Sequence, residues 1–345
     1  MTSMSNAVWV WRHRALSLRL QPRRLGLHLA CLALALAATL LALLLGDTRL
    51  SPAELWSGLT GADPMLAFLV QELRLPRVAA GALVGAALGG SGLLLQTLAR
   101  NRLASPDLLG ISDGAILAMG LSLLWSAEAM LGPWWQALLG ALVSVGVILA
   151  AAGGVGRQGY RVLIIGLGLA SLLRALFDLV LATLPVMHSA AIYSFSVGSL
   201  LGRGYAVALP AGAALGLLLL VLVPLSRGLG LLALGEDMAR VLGLRSGALR
   251  LAVLLIAAAL AGIGVSVAGP LGFVAIAAPI LTRALFGGLG LPMAAAMAMG
   301  ASLVLAADTL GRVWLAPVEL PAGVITGMLG GPFLLWVLLR RPQGE

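Results

Sequence analysis

The chain has 345 residues, of which 61% are hydrophobic and only 10% charged, and its formal net charge is +9. Soluble domains carry roughly a quarter charged residues, so this composition, with a mean hydropathy of +1.06, excludes an ordinary soluble domain. All 22 basic residues are arginine; the lack of lysine excludes a Schiff base and a P-loop, and arginines scattered between apolar runs argue against a nucleic-acid surface.

Residues 1–24 form a basic tail with Arg12, Arg14, Arg19, Arg23 and Arg24, and the first apolar run follows at 25–46. That run is too long for a secretion-signal core and no A-x-A cleavage site follows it, so a retained first span is expected. About 20 apolar residues cross the roughly 30 Å hydrocarbon layer as a helix. Only helices or closed barrels satisfy their backbone hydrogen bonds there.

Further spans are expected at 78–99, within 129–156, at 205–226, within 284–307 and at 320–339. The run at 114–127 is short for a crossing, so it is a tilted helix extended by its flanks or a segment shielded by its neighbours. Residues 162–184 are long enough but hold Arg174 and Asp178 at i, i+4 spacing. The uncharged stretch at 251–282 is broken by Gly269-Pro270 into one full span and a shorter helix. The sum is an all-α polytopic membrane protein of ten helices, a single transmembrane domain over residues 25–341.

Cytoplasmic loops collect positive charge. With the N-terminus inside, alternation places most arginines in the cytoplasm, including the tail residues, Arg100, Arg102, Arg157, Arg161, Arg227, Arg240, Arg245, Arg250, Arg283, Arg340 and Arg341. Arg49, Arg74, Arg77, Arg203 and Arg312 fall outside, and Arg174 lies within the membrane. Both termini are therefore expected in the cytoplasm.

Two glycine ridges, Gly81-Gly85-Gly89 and Gly323-Gly327-Gly331, have the four-residue spacing that lets helix backbones approach closely. The connection at 227–250 contains a short helix, with Glu236 and Asp237 at its start and Gly243 at its end. Cys31 stands alone, only His13, His28 and His188 could serve as nitrogen ligands, and no H-E-x-x-H or Ser-His arrangement occurs in the spans. Neither a metal site nor a catalytic residue is expected.

Several stretches, in order along residues 74–332, then resemble the permeases of iron-siderophore, haem and vitamin B12 ABC importers. They are Arg74-Leu75-Pro76-Arg77 with Gly85-Ala86, Ser91-Gly92 and Gln96; Arg100-Asn101-Arg102-Leu103-Ala104-Ser105-Pro106; and Leu109-Gly110-Ile111-Ser112 with Gly114-Ala115. Leu234-Gly235-Glu236 with Ala239 and Leu242-Gly243 comes next, then Ala268-Gly269-Pro270-Leu271-Gly272-Phe273 and Pro279 with Arg283. Ala307-Asp308 with Arg312, and Glu319-Leu320-Pro321-Ala322-Gly323-Val324, complete the series. The chain departs from the family where Arg102 replaces a usual proline and Ile280 a usual histidine, so any role of that histidine is lost. The stretches 101–110 and 165–168 look most like the ferric-catecholate branch, such as ferric-enterobactin importers.

The resemblance implies the ten-helix type II importer permease fold in the bacterial inner membrane and a translocation path at the interface with a second permease subunit, more in keeping with a paralogue than an identical copy. It also implies two ATPase subunits that hold ATP and magnesium, so this chain needs no cofactor, and a periplasmic substrate-binding protein. Arginines matching Arg74, Arg77 and Arg312 meet glutamates of the binding protein in the vitamin B12 importer. Gly235, Glu236, Ala239, Arg240 and Gly243 fall in the segment that couples to the ATPase. Arg174 and Asp178 are either a pathway pair that attracts an anionic chelate or a structural pair. The expected function is translocation of a ferric siderophore, with haem or cobalamin as alternative cargo. An ion-coupled secondary transporter is the competing class, with Asp178, Arg174 or Asp308 as a relay.

Overall fold

The computed structural model describes residues 9–13, 16–124, 133–154, 159–185, 192–233, 236–244, 246–287 and 290–339. Of the residues singled out above, Arg14, Arg157, His188, Leu234, Gly235, Arg245, Arg340 and Arg341 lie outside these segments. Seven of the helices described are long and apolar enough to cross a membrane, and Ile111–Leu123, Gly272–Phe286 and Ala322–Val337 are shorter apolar ones.

Within the N-terminal tail the backbone pairs β1 (Trp9–His13) antiparallel with β2 (Leu16–Leu20), which the sequence reading did not anticipate. Helix α1 (Pro22–Leu44) starts three residues earlier than expected, at a proline whose missing N–H is no loss in the first turn. Helix α2 (Pro52–Thr60) is short and lies beyond the end of α1. A reciprocal capping box starts it: Ser51 N–H donates to Glu54 Oε2 (2.7 Å), and Glu54 N–H donates to Ser51 Oγ (3.3 Å). Those bonds, to the backbone first, hold the Glu54 carboxyl below its usual pKa.

The longest helix, α3 (Pro64–Ala99), is the axis of the molecule. It opens with Asp63 accepting from Met65 N–H and Leu66 N–H, widens into a π-helical stretch at Phe68–Arg74, and returns to α geometry at Leu75. Pro76 has no N–H to give the ladder, and a widened turn just before a proline is one way for a helix to continue through it.

The remaining helices are α4 (Ile111–Leu123), α5 (Trp134–Ala152), α6 (Gly159–Thr183), α7 (Tyr205–Ala233), α8 (Glu236–Val241), α9 (Ser246–Ala268), α10 (Gly272–Phe286), α11 (Met293–Val313) and α12 (Ala322–Leu339). In the most apolar windows 78% of α3 and 83% of α9 is buried, against 17% of α1, α6 and α7. α3 and α9 are therefore the interior, and the last three present apolar surface outward.

The first glycine ridge works as expected. A Cβ on Gly85 would stand 2.3 Å from Gly300 O, and one on Gly89 2.4 Å from Ala296 O, so α3 and α11 touch backbone to backbone. One turn on, Gly92 extends the contact to α10, where a Cβ would meet Ala275 O at 1.8 Å. In the second ridge only Gly323 is used, against Val197 O; Gly327 and Gly331 face open space within this chain.

Between α3 and α4 the chain does not stay at the surface. A turn of 3-10 helix, Asp107–Leu109, folds inward against α6: Leu108 O lies 3.1 Å from the Cβ position of Gly166, and Ala170 backbone lies 3.0 Å from that of Gly110. α4 can be short because this buried loop covers part of its depth and its neighbours enclose it, which favours the shielded reading of that run.

Three other breaks meet inside the bundle. Ser199 N–H donates to Ala268 O (2.8 Å) and Gly323 N–H to Gly198 O (2.8 Å), so the non-helical backbone at 198–200 is satisfied by the end of α9 and the start of α12. Gly198 and Gly269 have φ of +88° and +76°, a region glycine enters without a side-chain penalty.

Candidate functional site

Arg74, Arg77 and Arg312 converge at the end of the bundle where α1 finishes, α3 passes from π to α geometry and α11 terminates. The i, i+3 spacing puts Arg74 and Arg77 on one side of α3. The centre of the group is Asp308, 2% exposed. Its carboxylate accepts from Arg77 Nε and Nη2 at 2.9–3.2 Å and makes a charge contact with Arg312 Nε at 3.2 Å. Arg77 Nη1 reaches Glu319 at 2.9 Å, so one planar fork holds two acids.

Arg312 and Arg74 also close the end of α1, whose last carbonyls have no partner within the helix. Arg312 Nη2 donates to Ala42 O (3.0 Å), and Arg74 donates to Leu43 O (2.6 Å), Leu44 O (3.3 Å), Thr48 O and Thr48 Oγ1. Both guanidiniums pack over Gly46, where a Cβ would come within 3.1 Å of Arg74 and 3.3 Å of Arg312. Arg74 is 5% exposed and Arg312 4%. The three residues expected to offer free forks thus have internal partners, Arg74 and Arg312 beneath the surface and Arg77 partly exposed, and they bind α1, α3, α11 and the 315–320 turn together.

At the opposite end, α8 projects as the short helix read from the sequence. Gly243, at φ +76°, ends it, and Leu244 N–H returns to Ala239 O (3.0 Å) in a Schellman closure. Glu236 and Arg240 lie on this helix, Ala239 is fully buried, and Met238, Val241 and Leu242 are exposed. That short apolar face, at i, i+3, i+4, was legible in the sequence, and the structure shows that it is exposed. An exposed apolar turn beside charged neighbours is the chemistry of a partner-docking surface.

Arg174 and Asp178 sit on α6 with Nε to Oδ1 at 3.6 Å, a loose contact, and are 44% and 58% exposed. Around them Leu167, Leu172, Leu176 and Leu179 are exposed too, and the Arg174 guanidinium lies 5.5 Å from the Phe177 ring centroid. The pair is not brought to the Asp308 cluster or to α8. Among the described residues no group of three His, Cys, Asp or Glu could hold a metal ion.

The model of the FecCD transport family matches residues 34–340. The achromobactin transport system permease protein CbrC of Dickeya dadantii is 36% identical over 339 residues, covering 97% of each chain. The ferric enterobactin transport system permease protein FepG of Escherichia coli is 32% identical, covering 86% of this chain and 91% of its own. The Fe(3+) dicitrate transport system permease protein FecD of Escherichia coli is 35% identical over 79% of this chain and 86% of its own. Among solved structures, an inward-facing conformation of a metal-chelate type ABC transporter superposes with a TM-score of 0.81 at 24% identity, covering 92% of this chain and 99% of that one, a likeness of fold.

Proposed function

This chain belongs to the FecCD transport family, and on that premise we propose that it is the membrane-spanning permease subunit of an ATP-driven importer that carries a ferric siderophore across the bacterial inner membrane. The observation that carries the reading is the end-to-end similarity to CbrC, which leaves no large unmatched segment in either chain. ATP and magnesium belong to two separate ATPase subunits, and the chain itself catalyses nothing. It pairs in the membrane with a second permease subunit, a paralogue, with both termini in the cytoplasm.

α8 supports a rigid seat for the ATPase, with Met238, Val241 and Leu242 exposed and Ala239 anchored within the fold. Gly235, Glu236, Arg240 and Gly243 complete the segment, and a well-anchored helix of this kind transmits closure of the motor as a rigid motion. At the other end, the proposed role of Arg74, Arg77 and Arg312 is to hold the shape of the face that a periplasmic binding protein meets, since their forks are already engaged.

The exposed Arg174 and Asp178 support a pathway-facing α6. Charges at membrane depth cost about 2.5–3.5 kcal/mol even on the lenient insertion scale, so they face water or protein in preference to lipid. Arg174→Gln is expected to lower chelate uptake severalfold while leaving the amount of assembled complex unchanged, as read by uptake and size-exclusion profile. Equal loss of both would make the pair structural.

The decisive experiment is co-expression with neighbouring ATPase and permease genes, native mass spectrometry of the purified complex, and chelate uptake into proteoliposomes. Uptake should require ATP and survive an uncoupler. Accumulation by this polypeptide alone, or collapse with an uncoupler, would favour an ion-coupled transporter; against that class, Asp308 is already held between Arg77 and Arg312.

A further inference from the structure

Among the described residues Arg203 is a guanidinium without a counter-charge. It lies between the short helix at 192–196 and α7, half-buried, and its Nε is fully enclosed with no hydrogen-bond partner among the described residues. Its guanidinium carbon stands 5.0 Å from the ring centroid of Phe195. No acidic residue occurs between Asp178 and Glu236, so the segment that carries Arg203 supplies none. Burial alone pushes its pKa down from the ordinary arginine value. Arg77, by contrast, has two acids, and Arg312 has one.

An arginine this enclosed is normally paired, because a desolvated charge is costly and an aromatic face offsets only part of that cost. The surrounding chain is firmly held: Ser199 N–H bonds Ala268 O, and Gly198 packs against Pro270 O and Gly323. The guanidinium lies over Phe195, which is 2% exposed. Tyr193 and Leu201 lie exposed on the same segment. A planar fork on a rigid segment, aromatic-backed and with no acid partner among the described residues, is suited to a bidentate oxyanion.

We propose that Arg203 receives an oxyanion of the cargo, a carboxylate or catecholate oxygen of the iron chelate, as the chelate enters the passage. The proposal rests on the importer reading. Its test uses the assembled complex in phosphatidylcholine vesicles and two probes, anionic ferric citrate and a neutral ferric trihydroxamate, with radiolabelled iron. A second readout, on the purified chain, is the shift in melting temperature produced by ferric citrate.

R203Q is expected to lower ferric citrate uptake about tenfold, the size of one lost charge-assisted contact, and to abolish the melting shift. R203K should recover part of both, and the behaviour of the neutral chelate should not change. Unaltered citrate uptake in R203Q overturns the proposal. So does an equal loss for both chelates, which would mark a structural role, or a loss seen only when anionic lipid is added, which would mark a lipid phosphate site. If the unsubstituted complex accumulates neither chelate, the importer reading fails, and the melting shift alone decides for or against Arg203.

Discussion

Asp308→Ala is expected to cost about 3–5 kcal/mol of folding stability, the usual consequence of removing one partner from a buried ion pair. The carboxylate is 2% exposed and is the only acid in contact with Arg312 among the described residues, so its loss leaves that cation buried without an ion-pair partner, with Glu319 and Asp47 acting only from a distance. Arg77 would retain Glu319 and suffer less. Thermal unfolding in detergent, followed by tryptophan fluorescence, reads the effect. The double substitution Asp308→Leu with Arg312→Leu removes both charges and should restore much of the loss, because a neutral apolar pair needs no compensation. A double variant as unstable as the sum of the two single changes would show that packing, not charge, is responsible.

Gly269→Ala is expected to destabilise by about 2–5 kcal/mol, from left-handed backbone strain and overpacking acting together. At φ +76° an alanine is strained in any surroundings, and here its Cβ would fall 1.9 Å from Phe195 O. Neither the α9–α10 break nor the 192–196 segment can move without loosening the bond from Ser199 N–H to Ala268 O. Gly287→Ala is the control. Gly287 also has positive φ, +55°, but nothing lies within 4 Å of its Cβ position, so it should show the backbone component alone. Comparable melting temperatures for the two variants would remove the close approach from the explanation.

How far the sequence could be read differs from element to element. The glycines of α3 were legible because Gly85 and Gly89 repeat at one helical period, and the structure uses them against α11. The same spacing in α12 was not informative. Gly327 and Gly331 meet nothing within this chain, and spacing says which residues share a face but not what faces them. Similarly, i, i+4 spacing predicts the Asp308–Arg312 contact, whereas nothing local connects Arg77 to Asp308, 231 positions away. Arg203 was placed outside by charge alternation, but its seat on Phe195 depends on how 192–204 folds back.

What the sequence by itself determined is the helical membrane class, the positions of its apolar runs, the break at Gly269-Pro270 and the connector helix α8. These follow from local rules, since a chain in lipid must satisfy its backbone within each segment. Tertiary structure alone decided that the loop at 104–110 turns inward, that Gly198, Gly269 and Gly323 share one junction, and that Arg74 and Arg312 are buried and Arg77 is held by two acids rather than displayed. Each of those depends on which helix ends meet, and contacts between residues tens to hundreds of positions apart leave no periodic trace along the chain.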